Sequence, residues 1–151
     1  MSNKNWGNAT WLFFHVLAEK IKDQEYNNEK QTIVNIIKGI CNNLPCPDCR
    51  QHASKYMTRL SIDHIPTKRD LKKLLFTFHN FVNDRLKKPN MSEEILKNYS
   101  DKNFHNVITI FIKIFSKPVY NSRLMTDNLN RNLFIKSIIN YFHRNLQKYE
   151  N

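Results

Sequence analysis

Two cysteines, Cys46 and Cys49, stand three residues apart in the stretch NNLPCPDCRQHASKYM. Pro47 suits the first position of a helix, so Cys46 would cap that helix and both thiols would lie on one face of its first turn. The positive end of the helix dipole and the free N–H groups there stabilise a thiolate. The position therefore favours thiol–disulfide exchange, in which the first thiol attacks and the second closes the ring.

Other uses of the pair remain open from its spacing alone. A thioredoxin-like site needs a strand before the helix, whereas the residues before Cys46 have a helical pattern. A zinc site could combine the two cysteines with His52 and His64, although that spacing matches no common zinc finger. The pair could also be inert. Cys41 makes the cysteine count odd, and we expect it to be a buried free thiol.

The composition bounds the class of protein. The chain has 151 residues, 40% of them hydrophobic, with 2 glycines and 5 prolines, which suits one compact domain rich in helices. Its 24 lysines and arginines against 13 acidic residues give a formal charge of +11. Because the lysines are scattered, a solvated basic surface is a simpler explanation than an anionic partner. We expect no signal peptide and no transmembrane segment, since no apolar run approaches the roughly 18 residues that a span needs.

Helical periodicity predicts the elements that must position these residues. Four helices are expected at about 8–22, 28–42, 47–60 and 68–88. Asn8 or Thr10 would cap the first helix, and Thr67 with Asp70 forms a capping-box pattern at the fourth.

The last third of the chain has two more helical segments, at about 103–115 and 128–149, after a short helical turn. The β-branched run NVITIFIKIF could form a strand, but no second strand is present to pair with it. The sequence therefore predicts an all-α fold, with four helices followed by a two-helix extension from about residue 100.

Three blocks in this order resemble the Erv/ALR family of FAD-linked sulfhydryl oxidases: WGNATWLFFHVLAEKI, LPCPDCRQHA and FHNFVNDRLKKP. The resemblance covers about residues 5–100 and is strongest to members encoded by large DNA viruses. The family pattern G-x-x-x-W-x-x-x-H-x-x-A is met by Gly7, Trp11, His15 and Ala18. The block H-N-x-V-N-x-x-L-x-K-P is met by His79, Asn80, Val82, Asn83, Leu86, Lys88 and Pro89.

This resemblance implies a four-helix bundle of the Erv/ALR type, with an FAD-binding oxidase domain at 1–100 and a C-terminal helical extension at 101–151. It implies Cys46 and Cys49 as the catalytic pair. The FAD-binding residues that it implies are Gly7, Asn8, Thr10, Trp11, His15, Cys49, His79, Asn80, Val82, Asn83, Leu86 and Lys88.

Individual roles follow from the same resemblance. Trp11 and His15 would offer an aromatic plane and a hydrogen-bonding ring to the flavin or adenine. Lys88 could neutralise the pyrophosphate, and Tyr99 could replace an aromatic residue that family members carry downstream. Asn8 stands where many cellular members have arginine, so one cofactor contact is expected to differ.

The implied reaction oxidises thiols. A substrate dithiol would attack Cys46, and Cys49 would pass two electrons to FAD. Oxygen would then take the two electrons from reduced FAD and be released as hydrogen peroxide. The chain has no second C-x-x-C, so the electrons would come directly from a small thioredoxin-like or C-x-x-C partner protein.

The resemblance also implies a homodimer acting in the host cytoplasm or virion of a large DNA virus. No membrane partner is expected, and a nucleic-acid partner is disfavoured because lysine and arginine do not cluster with exposed aromatic residues in the C-terminal part. The extension would alter the dimer geometry or the partner site. The alternative is a zinc-binding, basic nucleic-acid-binding module that uses Cys46, Cys49 and the nearby histidines.

Overall fold

The computed structural model describes residues 2–119 and 125–151, with side chains from residue 5 onward. This part of the chain contains six α-helices: α1 (Ser2–Lys20), α2 (Asp23–Asn42), α3 (Pro47–Met57), α4 (Lys68–Arg85), α5 (Phe104–Phe115) and α6 (Met125–Asn145). Short 3₁₀ turns cover Ile62–His64, Glu93–Tyr99 and Leu146–Lys148. Within the described residues, β pairing is confined to one isolated bridge between Ile21 and Tyr149. The predicted all-α fold is confirmed, and no described helix is long and apolar enough to span a bilayer.

Helix α1 begins earlier than predicted, and the proposed caps were wrong. Asn8 and Thr10 lie inside the helix, where the Thr10 hydroxyl donates to the carbonyl of Trp6 at 2.7 Å. Such a bond to the preceding turn lets threonine sit in a helix without ending it. The side chain of Trp6 packs against the core, so tertiary contacts stabilise the helical turn before Thr10. Local helix propensity does not include such contacts, which is why the sequence did not predict this turn.

Helix α4 has the predicted start and an earlier end. The Thr67 hydroxyl accepts from the Asp70 backbone N–H at 3.2 Å, and the Asp70 carboxylate accepts from the Thr67 N–H at 2.9 Å. The helix stops at Arg85 because Lys87 adopts a φ of 58°. The backbone N–H of Lys88 then donates to the carbonyl of Asn83 at 2.8 Å, which closes the helix as a Schellman motif.

The remaining helix boundaries agree with the prediction in part. Pro47 begins α3 and Cys46 caps it, as predicted, although α3 ends at Met57 and not near residue 60. Helix α2 begins five residues earlier than predicted, with Asp23 in its first turn. The run NVITIFIKIF belongs to α5 and is not a strand, because its large apolar side chains recur every three or four residues on one buried face.

Helix α1 lies at the centre of the packing, between α4 and α5. The ring of Phe13 stacks on Phe111 with centroids 4.5 Å apart and also meets Phe104 and Phe142. Residues from α5 and α6 therefore share one hydrophobic core with α1 and α2. The division of the chain at residue 100 stays a prediction.

Two contacts hold the C-terminal part against α2. The ring of Phe134 lies over Gly39, where any Cβ would collide with it, so glycine permits the close approach of α6. Further along, the Glu29 carboxylate accepts from the Tyr141 hydroxyl at 2.6 Å and pairs with the Lys148 ammonium at 2.9 Å.

Glu29 makes this second contact sensitive to pH. Burial by itself raises its pKa, but the hydrogen bonds from Tyr141 and Lys148 outweigh burial and hold the pKa below its usual value. A depressed carboxylate pKa gives stability that is present at neutral pH and is lost as pH falls through the folded-state value. We expect Glu29→Gln to lower the free energy of unfolding by about 2 kcal/mol at pH 7, with a smaller difference at pH 4.

Urea denaturation at both pH values measures this, with exposed Glu93→Gln as the control. An equal loss at pH 7 and pH 4 would show that the Glu29 charge does not contribute.

Candidate active site

The two cysteines are joined as a disulfide at the N-terminus of α3, with their Cα atoms 5.2 Å apart. Both side chains are partly exposed. The Cys46 sulfur accepts from the backbone N–H of Cys49 at 3.2 Å, which is an N-cap interaction. The same N–H and the helix dipole are available to a thiolate when the disulfide is reduced.

Ion pairs surround this turn. Asp48, between the cysteines, carries a charge that by itself opposes a thiolate, but Arg85 of α4 pairs with it at 2.5 Å. His52 approaches the same carboxylate at 3.6 Å. The residue after Cys49, Arg50, pairs with Asp127 of α6 at 3.1 Å.

A cavity of about 610 Å³ lies beside the disulfide, between α1, α3 and α4. Of the predicted site residues, it is lined by Gly7, Asn8, Thr10, Trp11, Cys49, Val82, Leu86 and Lys88. Cys46 is not among the lining residues, so the two cysteines of the pair have different surroundings. The larger part of the wall is apolar, which suits a flat aromatic ligand.

Several lining residues were missed from the sequence: Trp6, Phe14, Cys41, Leu44, His52, Ala53, Phe78, Phe81 and Arg85. Helical spacing carried a signal for several of them; Phe78 and Arg85, for example, lie one turn before and after the predicted Val82. Phe81 is exposed and contacts Tyr56 with ring centroids 4.8 Å apart.

A second depression of about 640 Å³ is lined mainly by charged side chains of α4 and the 93–99 turn. It contains no cysteine and no aromatic side chain, so it offers none of the chemistry of the first cavity.

His15 and His79 do not line the cavity but join a stack of rings behind Trp11. Trp11 and His79 are nearly parallel, at 5°, with centroids 3.9 Å apart. His15 Nε2 lies 2.9 Å from His79 Nδ1, and the ring of Tyr99 stacks on His15 with centroids 4.8 Å apart. The downstream aromatic expected at Tyr99 thus lies against the predicted histidine.

Both imidazoles are neutral at physiological pH. Burial lowers the pKa of His15 to about 3, and the neighbouring His79 adds to the effect. Burial lowers the pKa of His79 to about 4, with a smaller contribution from the charge of Lys88. The buried Nδ1 atom of His15 finds no hydrogen-bond partner among the described residues. An unsatisfied buried ring nitrogen costs about 1–3 kcal/mol and is a position that a bound ligand can satisfy.

Asn80 and Asn83 have partners within the protein. The Asn80 side-chain N–H donates to the Met91 carbonyl at 3.1 Å, and its oxygen accepts from the Met91 N–H at 2.9 Å. Asn83 is buried and donates to the Asn80 side chain at 3.5 Å. These bonds hold the loop after α4, and a direct cofactor contact from either residue stays a prediction.

Cys41 is a buried free thiol, as expected. Its side chain is 1% exposed, and burial raises the pKa of the thiol to about 12. The structure adds that Cys41 lines the same cavity as Cys49.

The zinc alternative gains no support from this geometry. Among residues 2–119 and 125–151, no three His, Cys, Asp or Glu side chains are placed to hold a metal ion. His64 completes the cap of its own 3₁₀ turn, where its Nδ1 accepts from the Ser61 N–H at 3.4 Å.

Comparisons with known proteins point to one family. The model of the Erv1/Alr family matches residues 8–109. A protein of Invertebrate iridescent virus 3 is 38% identical over 90 residues, covering 59% of this chain and 61% of its own. One of African swine fever virus is 32% identical over 104 residues, covering 69% of this chain and 87% of its own. One of fowlpox virus is 24% identical over 97 residues, covering 64% and 95%. All three are named as FAD-linked sulfhydryl oxidases, and no solved structure matches the chain.

The burial of Cys41 predicts how the thiols react. In the native oxidised protein we expect no thiol to react rapidly with Ellman's reagent, because Cys46 and Cys49 are paired and Cys41 is buried and protonated. Denaturation without reductant should release one thiol per chain. A thiol that reacts rapidly in the native oxidised protein would contradict the described state of Cys41.

The neutral histidines predict an acid-sensitive stability. Their folded-state pKa values lie below the unfolded value of about 6.5. Between about pH 6.5 and pH 4 the histidines of the unfolded chain are therefore protonated while those of the folded protein stay neutral. Protonation favours the unfolded state, so the free energy of unfolding falls over this range. When pH falls from 7 to 5, we expect the free energy of unfolding of His79→Gln to decrease by about 2 kcal/mol less than that of the wild type.

Urea denaturation at the two pH values measures the difference. Exposed His143→Gln is the matched control and should lose as much stability as the wild type. Equal losses in His79→Gln and the wild type would contradict the neutral ring.

Proposed function

The chain belongs to the Erv1/Alr family, and from this premise we propose that it is an FAD-dependent sulfhydryl oxidase that forms disulfides in partner proteins. The observation that carries the proposal is the position of Cys49. It is half of a disulfide at a helix N-terminus and also part of the wall of an aromatic cavity. A pair in this position can undergo thiol–disulfide exchange with a substrate, and Cys49 can pass the electrons to a ligand in the cavity.

The residues present fit FAD. Trp11, Phe14 and Phe78 supply apolar walls for a flat ring, and Arg85 with Lys88 supplies cations for a pyrophosphate. His15, which does not itself line the cavity, lies behind Trp11 with a buried Nδ1 that finds no hydrogen-bond partner among the described residues. When bound, FAD supplies a two-electron acceptor that oxygen re-oxidises with formation of hydrogen peroxide.

The cysteines carry out the exchange with substrate. A substrate thiolate attacks the Cys46 sulfur, which forms a mixed disulfide and releases Cys49 as a thiolate. The second substrate thiol then attacks the substrate's first sulfur in the mixed disulfide and releases Cys46. The substrate leaves as a disulfide, and the Cys46–Cys49 pair has gained two electrons and two protons.

The protein stabilises the thiolates in this exchange. The first-turn N–H groups and dipole of α3 face the pair, and Arg85 offsets the nearby charge of Asp48. Cys41 takes no part, because at a pKa of about 12 its thiol stays protonated.

The substrate is proposed to be a small thioredoxin-like or C-x-x-C protein, since the chain contains no further cysteine pair to act as a shuttle. The relatives above are viral proteins, and we propose the same setting here: host cytoplasm or virion, where a reducing environment makes a dedicated oxidase necessary. A homodimer, and an oxidase domain at 1–100 followed by an extension at 101–151, remain part of the proposal.

The visible absorption spectrum of the purified protein tests the proposal. We expect a flavin band that bleaches when dithiothreitol has exhausted the oxygen and returns on aeration. Cys49→Ser should keep the flavin band but lower dithiol-dependent oxygen consumption at least about 100-fold, because the exchange loses its second sulfur.

Two outcomes would oppose the proposal. Unimpaired oxygen consumption by Cys49→Ser would exclude electron transfer through the pair. A colourless protein that takes up zinc and not added FAD would favour the metal-binding alternative.

A further inference from the structure

Arg50 connects three parts of the chain around the disulfide. Its backbone N–H donates to the Cys46 carbonyl at 2.9 Å, within the turn that holds both cysteines. Its side-chain Nη1 donates to the carbonyl of Leu44, in the loop before Cys46, at 3.3 Å. Its Nη2 pairs with Asp127 of α6 at 3.1 Å. One guanidinium thus joins the redox turn to the C-terminal part of the protein.

The position of Asp127 is set by how α6 docks. Arg131, one turn later, is 1% exposed and donates to the carbonyl of Phe115, which links the start of α6 to the end of α5. Phe134 packs over Gly39 of α2. Between these anchors and the helix start, Asp127 faces Arg50 of α3. Its carboxylate also lies in the first turn of α6, where the helix dipole favours a negative charge.

Resting on the proposed function, we propose that Asp127 is a positioning residue for the redox pair and acts through Arg50. It holds the guanidinium that binds the loop before Cys46, and it offsets the positive charge of the residue that follows Cys49. The C-terminal part of the chain is then a working part of the redox site.

The charges of Arg50 and Asp127 predict in which direction the equilibrium between the disulfide and the reduced pair shifts when Asp127 is replaced. Reduction of the pair by glutathione converts the disulfide and two thiols of glutathione into two protein thiols and one glutathione disulfide. The reduced pair contains thiolate, whereas the disulfide carries no charge. Without the Asp127 carboxylate, Arg50 has an uncompensated positive charge, which stabilises the thiolate and therefore the reduced pair. The side chains are only partly exposed, at 23% for Arg50 and 29% for Asp127, so solvent screens this effect incompletely.

The experiment equilibrates the full-length protein in anaerobic glutathione buffers and counts reduced cysteines by alkylation and mass measurement. We expect Asp127→Asn to shift the equilibrium constant about threefold or more toward the reduced pair. Asp101→Asn removes one exposed carboxylate elsewhere and serves as the matched charge control, with no shift expected.

A double-mutant cycle separates positioning from loss of fold. In an Arg50→Gln background, Asp127→Asn should cause no further shift, because the group through which it acts is absent. Arg50→Lys keeps the charge but replaces the planar guanidinium, whose two Nη atoms bind Leu44 and Asp127, with a single ammonium nitrogen. The charge contribution of Asp127 then remains and its positioning contribution is lost, so Asp127→Asn should have a reduced effect there.

The outcomes distinguish this inference from the proposed function. If the wild-type pair exchanges with glutathione and Asp127→Asn has the same equilibrium constant, the role of Asp127 is overturned and the oxidase proposal stands. An equal shift by Asp127→Asn in the wild-type and Arg50→Gln backgrounds would also overturn it. A wild-type pair that does not exchange with glutathione would overturn both.

Discussion

The stacking of Trp11 on His79 joins α1 to α4, and the proposed site depends on this contact. With ring centroids 3.9 Å apart, the two side chains bring the two helices together beside the disulfide. The cavity lies between α1, α3 and α4, so its shape follows from that pairing. The other side of α1 presents Phe13 to α5, which makes α1 the helix that links the site to the core.

The same stack explains why polar rings occur inside an apolar interface. His15 and His79 share one short contact, and burial keeps both rings uncharged. A neutral imidazole is far less costly to bury than an imidazolium. Among the described residues, His15 Nδ1 still has no hydrogen-bond partner.

The residues beyond the family match are integrated with the rest of the protein. The Erv1/Alr model ends at residue 109, inside α5, while the aromatic packing of α1 continues through Phe111 and Phe142. Glu29 and Gly39 of α2 both contact α6 or the residues after it. These contacts explain how a chain with only three cysteines holds its C-terminal part without a second disulfide.

The sequence by itself determined the features that arise within one or two helical turns. These include the cap at Cys46, the proline that starts α3 and the Thr67–Asp70 capping box, because each depends on neighbouring backbone N–H groups. Helix ends were less predictable: Lys87 adopts a left-handed conformation without a glycine to signal it.

Only the tertiary structure decided which distant groups meet. Arg50 and Asp127 are 77 residues apart, and Cys41 faces the same cavity as Cys49 although it belongs to another helix. Helix periodicity indicates which face of a helix is buried, but it does not say against which neighbour. That choice follows from the docking of whole helices, such as α6 on Gly39, and it places the Asp127 carboxylate against Arg50, the residue that follows Cys49.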